Sequence, residues 1–269
     1  MHPYFVRKGS ALWNIKPQTT NLSFIRRNPN CARPQIAKHT GLSLSSITNI
    51  TAYLMELGII HECGTEKVGR VGRKSTLLQL NAQRNALICA FVSGSGINLY
   101  LTDLLGVPLD KLAVSTEGCG GEEAMTRMTE ALQTMLAHHG KECVLAIGVA
   151  VSGLILDDSR FIMSSELKWR SLGLKQTLEA ETGLPVFVDN NSQLRAVWFY
   201  RTGGYTRENM MYVDLEGGIG AVQLADGAIC RSTLGEVGHT TVKKDGEPCF
   251  CGNRGCLEAM CSVKRLFSL

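Results

Sequence analysis

Hydrophobic positions change their spacing near residue 85, and the change separates two regions of different architecture. In the first region apolar residues recur three and four apart. Leu22 and Ile25 predict a first helix, capped at Thr20 or Asn21 and stopped by Pro29. Ile36 and Ala37 predict a second, opening around Ala32-Arg33-Pro34 with Pro in its first turn. Thr40-Gly41-Leu42 reads as a turn. Ser43 is then the N-cap of a third helix that buries Ile47, Ile50, Leu54 and Leu57 and ends at Gly58. Residues 59–62 and 75–80 read as two strands around a Gly-rich basic turn. Beyond residue 85 the pattern alternates between strand and helix. Residues 87–92 and 144–151 are unbroken apolar runs, as buried strands are, and 97–102, 108–115, 186–189, 210–214 and 220–224 add further strands. Residues 122–138 and 174–182 carry helical spacing. This order predicts an α/β fold with a mixed sheet.

Charge sharpens the division. The first 84 residues hold 12 Lys and Arg against three Glu, +9, whereas the remainder is −5, which leaves +4 for the whole chain. A basic head on an acidic body points to a polyanionic partner for the head. The spacing of Ala37, Gly41 and Ile47 gives that head a shape: a small residue for close approach, a glycine for the turn, and an anchor for the next helix. The pattern is that of a helix-turn-helix with a wing, over residues 1–84. Ser45, Ser46, Thr48 and Asn49 on the third helix suit base edges and phosphates of duplex DNA. Arg70, Arg73 and Lys74 in the wing suit phosphates or the minor groove. A purely structural three-helix module with a solvated basic face is the weaker alternative.

The chain is 44% hydrophobic and 19% charged, the balance of a soluble globular protein, and has no apolar run of the length a membrane helix requires. Its N-terminus lacks a signal-peptide core, so a cytoplasmic location is expected. Six of the ten cysteines are scattered, but Cys249, Cys251, Cys256 and Cys261 crowd together. Without an export signal, such clustering favours a metal over disulfides. Cys249, Cys251 and Cys256 offer three thiolates from one tight turn, with Gly252 and Gly255 letting the backbone wrap an ion. His239 is the natural fourth ligand of a structural zinc site. Cys261 fits no ligand position and is expected in the core.

Several motifs together carry a resemblance to a known family. They are Gly72-Arg73-Lys74, the run from Ile147 to Gly153, Thr182-Gly183-Leu184-Pro185-Val186 leading to Asp189-Asn190-Asn191, and Gly217-Gly218-Ile219-Gly220. The most specific are Gly235-Glu236-Val237-Gly238-His239 and the stretch from Cys249 to Glu258. The chain resembles the ROK family of repressors and sugar kinases, and within it the transcriptional repressors. That resemblance implies an N-terminal winged helix-turn-helix followed by an actin-like (ribonuclease H-like) sugar-kinase fold over residues 85–269. It implies His239 as a zinc ligand, and Asn190, Glu236, His239 and Glu258 as partners for the hydroxyls of a hexose-like or hexose-phosphate effector. It also implies operator DNA as a partner, and a homo-oligomer. Family members run on beyond the zinc motif, so the second lobe is expected to be incomplete.

A kinase of this family needs an acid in its first phosphate loop, but the corresponding stretch reads Phe91-Val92-Ser93-Gly94-Ser95-Gly96. The catalytic Asp should follow Asn190, where Asn191 stands, and an amide cannot take a proton from a sugar hydroxyl. Glu216 beside the glycines would repel ATP. No catalytic residue is therefore expected, and the function expected is a sugar-responsive DNA-binding repressor of carbohydrate genes. A ROK sugar kinase, or a truncated remnant without function, are the alternatives.

Overall fold

The computed structural model describes residues 21–66, 74–156, 158–203, 205, 209–215, 218–225, 228–230 and 236–267. Its residues group into two compact units, 1–87 with 101–110 and 139–145, and 88–100 with 111–138 and 146–269.

In the first unit, helix α1 (21–27) is followed by β1 (Cys31–Ala32), α2 (Arg33–Thr40), α3 (Leu44–Glu56), β2 (Ile60–Glu66) and β3 (Ser75–Leu80). The two helices of the turn are separated by Gly41, whose φ of 71° ends α2 in the left-handed region that glycine tolerates without strain. Ser43 caps α3 by accepting a hydrogen bond from the Ser46 amide at 3.1 Å. One apolar cluster joins the elements: Ile25, Cys31, Ile36, Ile47, Leu54, Ile60 and Leu78. Burial pushes the Cys31 thiol up to about 11, so it packs there as a neutral apolar group. Strand β1 was not legible in the sequence. It is two residues long and exists through pairing with Leu78 and Leu77 of β3, which places β3 between β1 and β2. Residues 67–73, with Arg70 and Arg73, lie outside the described residues.

Beyond β3 the chain forms a five-stranded sheet ordered β11-β7-β4-β5-β6. Its strands are β4 (Ala86–Ser93), β5 (Gly96–Asp103), β6 (Pro108–Ser115), β7 (Val144–Val151) and β11 (Val186–Asn190), with helix α4 (Gly121–His139) between β6 and β7 in sequence. Parallel pairing of β11 with β7 sets Asn190 opposite Val151, immediately before Ser152-Gly153. A small antiparallel sheet follows β7, made of β8 (Leu154–Ile155), β9 (Phe161–Ser164) and β10 (Trp169–Arg170), and then α5 (Leu174–Thr182). Helix α6 (Asn191–Thr202) leaves β11 without a loop. It packs Ala196 and Tyr200 against Val222 and Leu224 of the antiparallel sheet β12 (Met210–Asp214), β13 (Gly220–Ala225) and β14 (Ala228–Ile229). Two short helices close the described chain, α7 (Leu257–Cys261) and α8 (Val263–Leu266). Among the described residues no helix is long and apolar enough to cross a membrane.

Candidate ligand cleft and metal cluster

Two backbone devices bring the polar residues of the second unit to one place. At the first, β11 runs straight into α6, and Asn190 is the N-cap. Its Oδ1 accepts from the amides of Ser192 and Gln193 at 2.9 and 3.1 Å, and its Nδ2 donates to the Gly153 carbonyl at 2.9 Å. Gly153 must be glycine there: φ is +115°, and a Cβ would collide with the Met163 carbonyl. Asn190 thus clamps β11 to the turn after β7 and keeps one N–H for any further partner.

At the second device, the Glu258 carboxylate on α7 accepts from the Ile219 amide at 2.7 Å and holds the loop before β13. A Cβ on Gly218 would run into that carboxylate, and one on Gly238 into the Ile219 carbonyl. Both glycines allow the loop, the turn of residues 237–239 and α7 to meet. Glu236 stands beside them with its Oε2 3.6 Å from Nε2 of His239. Desolvation raises the Glu236 carboxyl and Glu258 adds to the rise, while His239 opposes it.

The opposite edge of the imidazole faces the cysteines. His239 Nδ1 lies 3.5 Å from Cys249 Sγ, and Cys251 Sγ lies 3.7 Å from Cys256 Sγ. All four ligand atoms lie within 4.8 Å of one another. The turn is built for this: the Cys249 amide donates to Asn253 O at 2.8 Å, and Gly252 reverses the chain with φ +97°. With no ion, desolvation pushes the Cys256 thiol up to about 12 and raises Cys249. Against its own desolvation, the Asn253 backbone and the neighbouring thiols hold Cys251 down. The two shorter spacings, 3.5 and 3.7 Å, match edges of a metal-centred tetrahedron. A tetrahedron with bonds of about 2.3 Å to sulfur and about 2.0 Å to nitrogen has S···S edges near ~3.8 Å and S···N edges near ~3.5 Å. The donor set is therefore one that can hold a tetrahedral, thiolate-preferring ion. Cys261, expected in the core, is exposed at the C-terminal end of α7.

Asn190, Glu236, His239 and Glu258 all line one cleft of about 820 Å³. Asn191 lines it too, with its Oδ1 2.9 Å from the Ser192 amide. Sequence reasoning missed several lining residues. Asp214, nearly buried at the end of β12, accepts from Ser192 Oγ at 2.9 Å and from Arg195 Nη1 at 3.1 Å. The Arg195 guanidinium also sits 5.7 Å from the centre of the Phe91 ring. Ser152 and Ser164 share a hydrogen bond of 2.8 Å, and Glu166 and Phe250 complete the walls. The signal for Arg195 was its place one turn after Asn191, but that required knowing that α6 exists.

In the first unit, Ser45, Thr48 and Asn49 are exposed on α3, Ser46 is half-buried, and Lys74 is exposed just ahead of β3. The hydroxyls of Ser45 and Ser46 each lie 2.9 Å from that of Ser43, and Thr48 donates to the Leu44 carbonyl at 2.8 Å.

Comparison with known proteins adds the following. The ROK family profile matches residues 89–267. A xylose repressor of Caldicellulosiruptor bescii is 28% identical over 258 residues, 92% of this chain and 64% of the repressor. The chain thus spans less than two thirds of that relative's length. A glucokinase of Halalkalibacterium halodurans is 34% identical over 181 residues, 64% of this chain and 55% of the glucokinase. Among solved structures, a ROK family transcriptional regulator described as a homolog of the E. coli MLC protein has a TM-score of 0.77. It is 23% identical and covers 94% of this chain and 66% of that one, a likeness of fold.

Proposed function

The chain belongs to the ROK family, and from that premise we propose that it is a sugar-responsive, DNA-binding transcriptional repressor acting in the cytoplasm as a homo-oligomer. The observation that carries the reading is the unit that precedes the ROK match: α2, the Gly41 turn and α3, followed by the β2–β3 ribbon. The repressor's coverage of 92% cannot be reached without most of the first 84 residues, whereas the glucokinase's 64% can. On this reading residues 1–84 form a winged helix-turn-helix and residues 85–269 a sugar-binding domain. Ser45, Ser46, Thr48 and Asn49 face the major groove, and Arg70, Arg73 and Lys74 meet the backbone or minor groove.

In the cleft, Glu236, Glu258, His239 and the remaining N–H of Asn190 hold the hydroxyls of a hexose-like ligand. Zinc is the metal proposed for His239, Cys249, Cys251 and Cys256. When bound it supplies rigidity rather than chemistry, because four protein ligands leave no open position. His239 offers Nδ1 to the ion and turns Nε2 toward Glu236, so the ion orients the imidazole that the ligand meets.

The 34% identity to a glucokinase favours a sugar kinase as the second reading. Against it stand Asn191, an amide where the proton acceptor is required, and a β4–β5 turn of Ser93-Gly94-Ser95 without an acid to organise Mg-ATP. Two assays separate them. Duplex binding followed by anisotropy at increasing salt should weaken for all sequences in Lys74→Ala, with the log–log salt slope falling by about one. Asn49→Ala should alter which sequence is preferred. A chain without salt-dependent affinity for any duplex, together with sugar-dependent ADP release, would replace the repressor by the kinase.

A further inference from the structure

A pyranose is amphipathic: hydroxyls project around its rim while C–H bonds line its two faces. The proposed hydroxyl partners, Asn190, Glu236, His239 and Glu258, are all polar and suit the rim. We propose that Phe250 is the platform for a ring face of the sugar, a specificity-determining residue carried by the metal-holding turn itself. This rests on the sugar-binding reading of the cleft. Two phenyl rings line that cleft, Phe91 and Phe250. Phe91 already carries the Arg195 guanidinium, 5.7 Å from its centre. Phe250 is 52% exposed, on a turn whose other members are polar residues, glycine and cysteine.

Its position is dictated from both sides. Cys249 and Cys251, its chain neighbours, belong to the four-residue cluster, and the ring stands edge-on to His239 with centroids 5.1 Å apart at 84°. Since His239 Nε2 is 3.6 Å from Glu236, the phenyl group lies one side chain away from the hydroxyl partners. Apolar face and polar rim are then met together, and a ligand with hydroxyls but no ring gains nothing from the phenyl group.

The test is calorimetry on the full chain with D-xylose, D-glucose and N-acetyl-D-glucosamine, with bound zinc measured on the same samples. Phe250→Ala should weaken whichever of these sugars binds by roughly tenfold at unchanged zinc content, and Phe250→Tyr should restore the affinity. If Phe250→Ala also lost zinc, Phe250→Leu keeps apolar bulk without the aromatic face, and reduced affinity at full zinc content supports the platform. Undiminished affinity in a zinc-replete Ala or Leu variant overturns the platform and leaves the sugar-binding reading intact. An unsubstituted chain that binds none of the three sugars overturns both.

Discussion

Asn190→Ala separates two roles that meet in one side chain. The amide makes three hydrogen bonds within the chain: two accepted at the N-terminus of α6 and one donated to Gly153. Loss of the cap is worth about 1 kcal/mol and loss of the Gly153 bond about another 1 kcal/mol, so a destabilisation of about 2 kcal/mol is expected. For a chain of this size that lowers the melting temperature by roughly 4–8 °C. Asn190→Ser keeps a capping oxygen but not the reach to Gly153, and should fall about halfway. Asn190→Asp keeps the cap, with a charge favoured at a helix N-terminus, but sets a carboxylate oxygen against the Gly153 carbonyl. It should therefore be less stable than the wild type despite the better cap. Melts followed by circular dichroism, with ligand affinity measured on the same proteins, decide the matter. If Asn190→Ala melted with the wild type and lost only affinity, the amide would be a ligand contact, and the clamp assigned to it would be wrong.

Two further outcomes follow from the cleft. Asp214→Ala removes the acceptor of Ser192 and Arg195 and should cost about 2 kcal/mol. Arg195→Met in the same chain should recover part of that loss, and a double-mutant cycle in urea with no coupling would refute the ion pair's contribution. Cys251→Ser should reduce zinc to well under one ion per chain by metal analysis. It should also weaken sugar binding, because the amides of Leu257 and Val242, donating to the Thr240 and Gly255 carbonyls, tie the cysteine turn and α7 to the segment of His239. Full zinc content in that variant would remove Cys251 from the ligand set.

Much of this architecture was readable from periodicity. The run of residues 144–151 became β7, and the spacing over 122–138 became α4, whose Ala124, Met128, Leu132 and Met135 are all buried. The cluster of three cysteines and His239 was legible because three of its four members are close in sequence, so that spacing alone brings them together. Helix α6 was not. Its sequence puts Leu194, Trp198 and Phe199 on the exposed side and buries only Ala196 and Tyr200, which blurs the apolar stripe by which a helix is recognised. Strands β8 to β10 are two to four residues long, too short for alternation to show. Asp214 and Glu166 come from elements far apart in sequence, and only the tertiary fold sets them in the cleft with Asn190.

Helix α6 is also a lever. It begins at the Asn190 cap, at the end of the parallel strand pair, and packs along its length on β13. Twelve residues make a rod of about 18 Å, so a tilt of about 5° at the capped end displaces the far end by about 1.6 Å. The far end carries Phe199 and Tyr200, stacked with Tyr205 at centroid distances of 5.8 and 6.3 Å. At these rings, nine and ten residues from the cap, the shift is about 1.2 Å, and the partly exposed Phe199 and Tyr205 have room to re-seat around the buried Tyr200. Small adjustments around Asn190 are therefore amplified, by length alone, at rings about two and a half helical turns away.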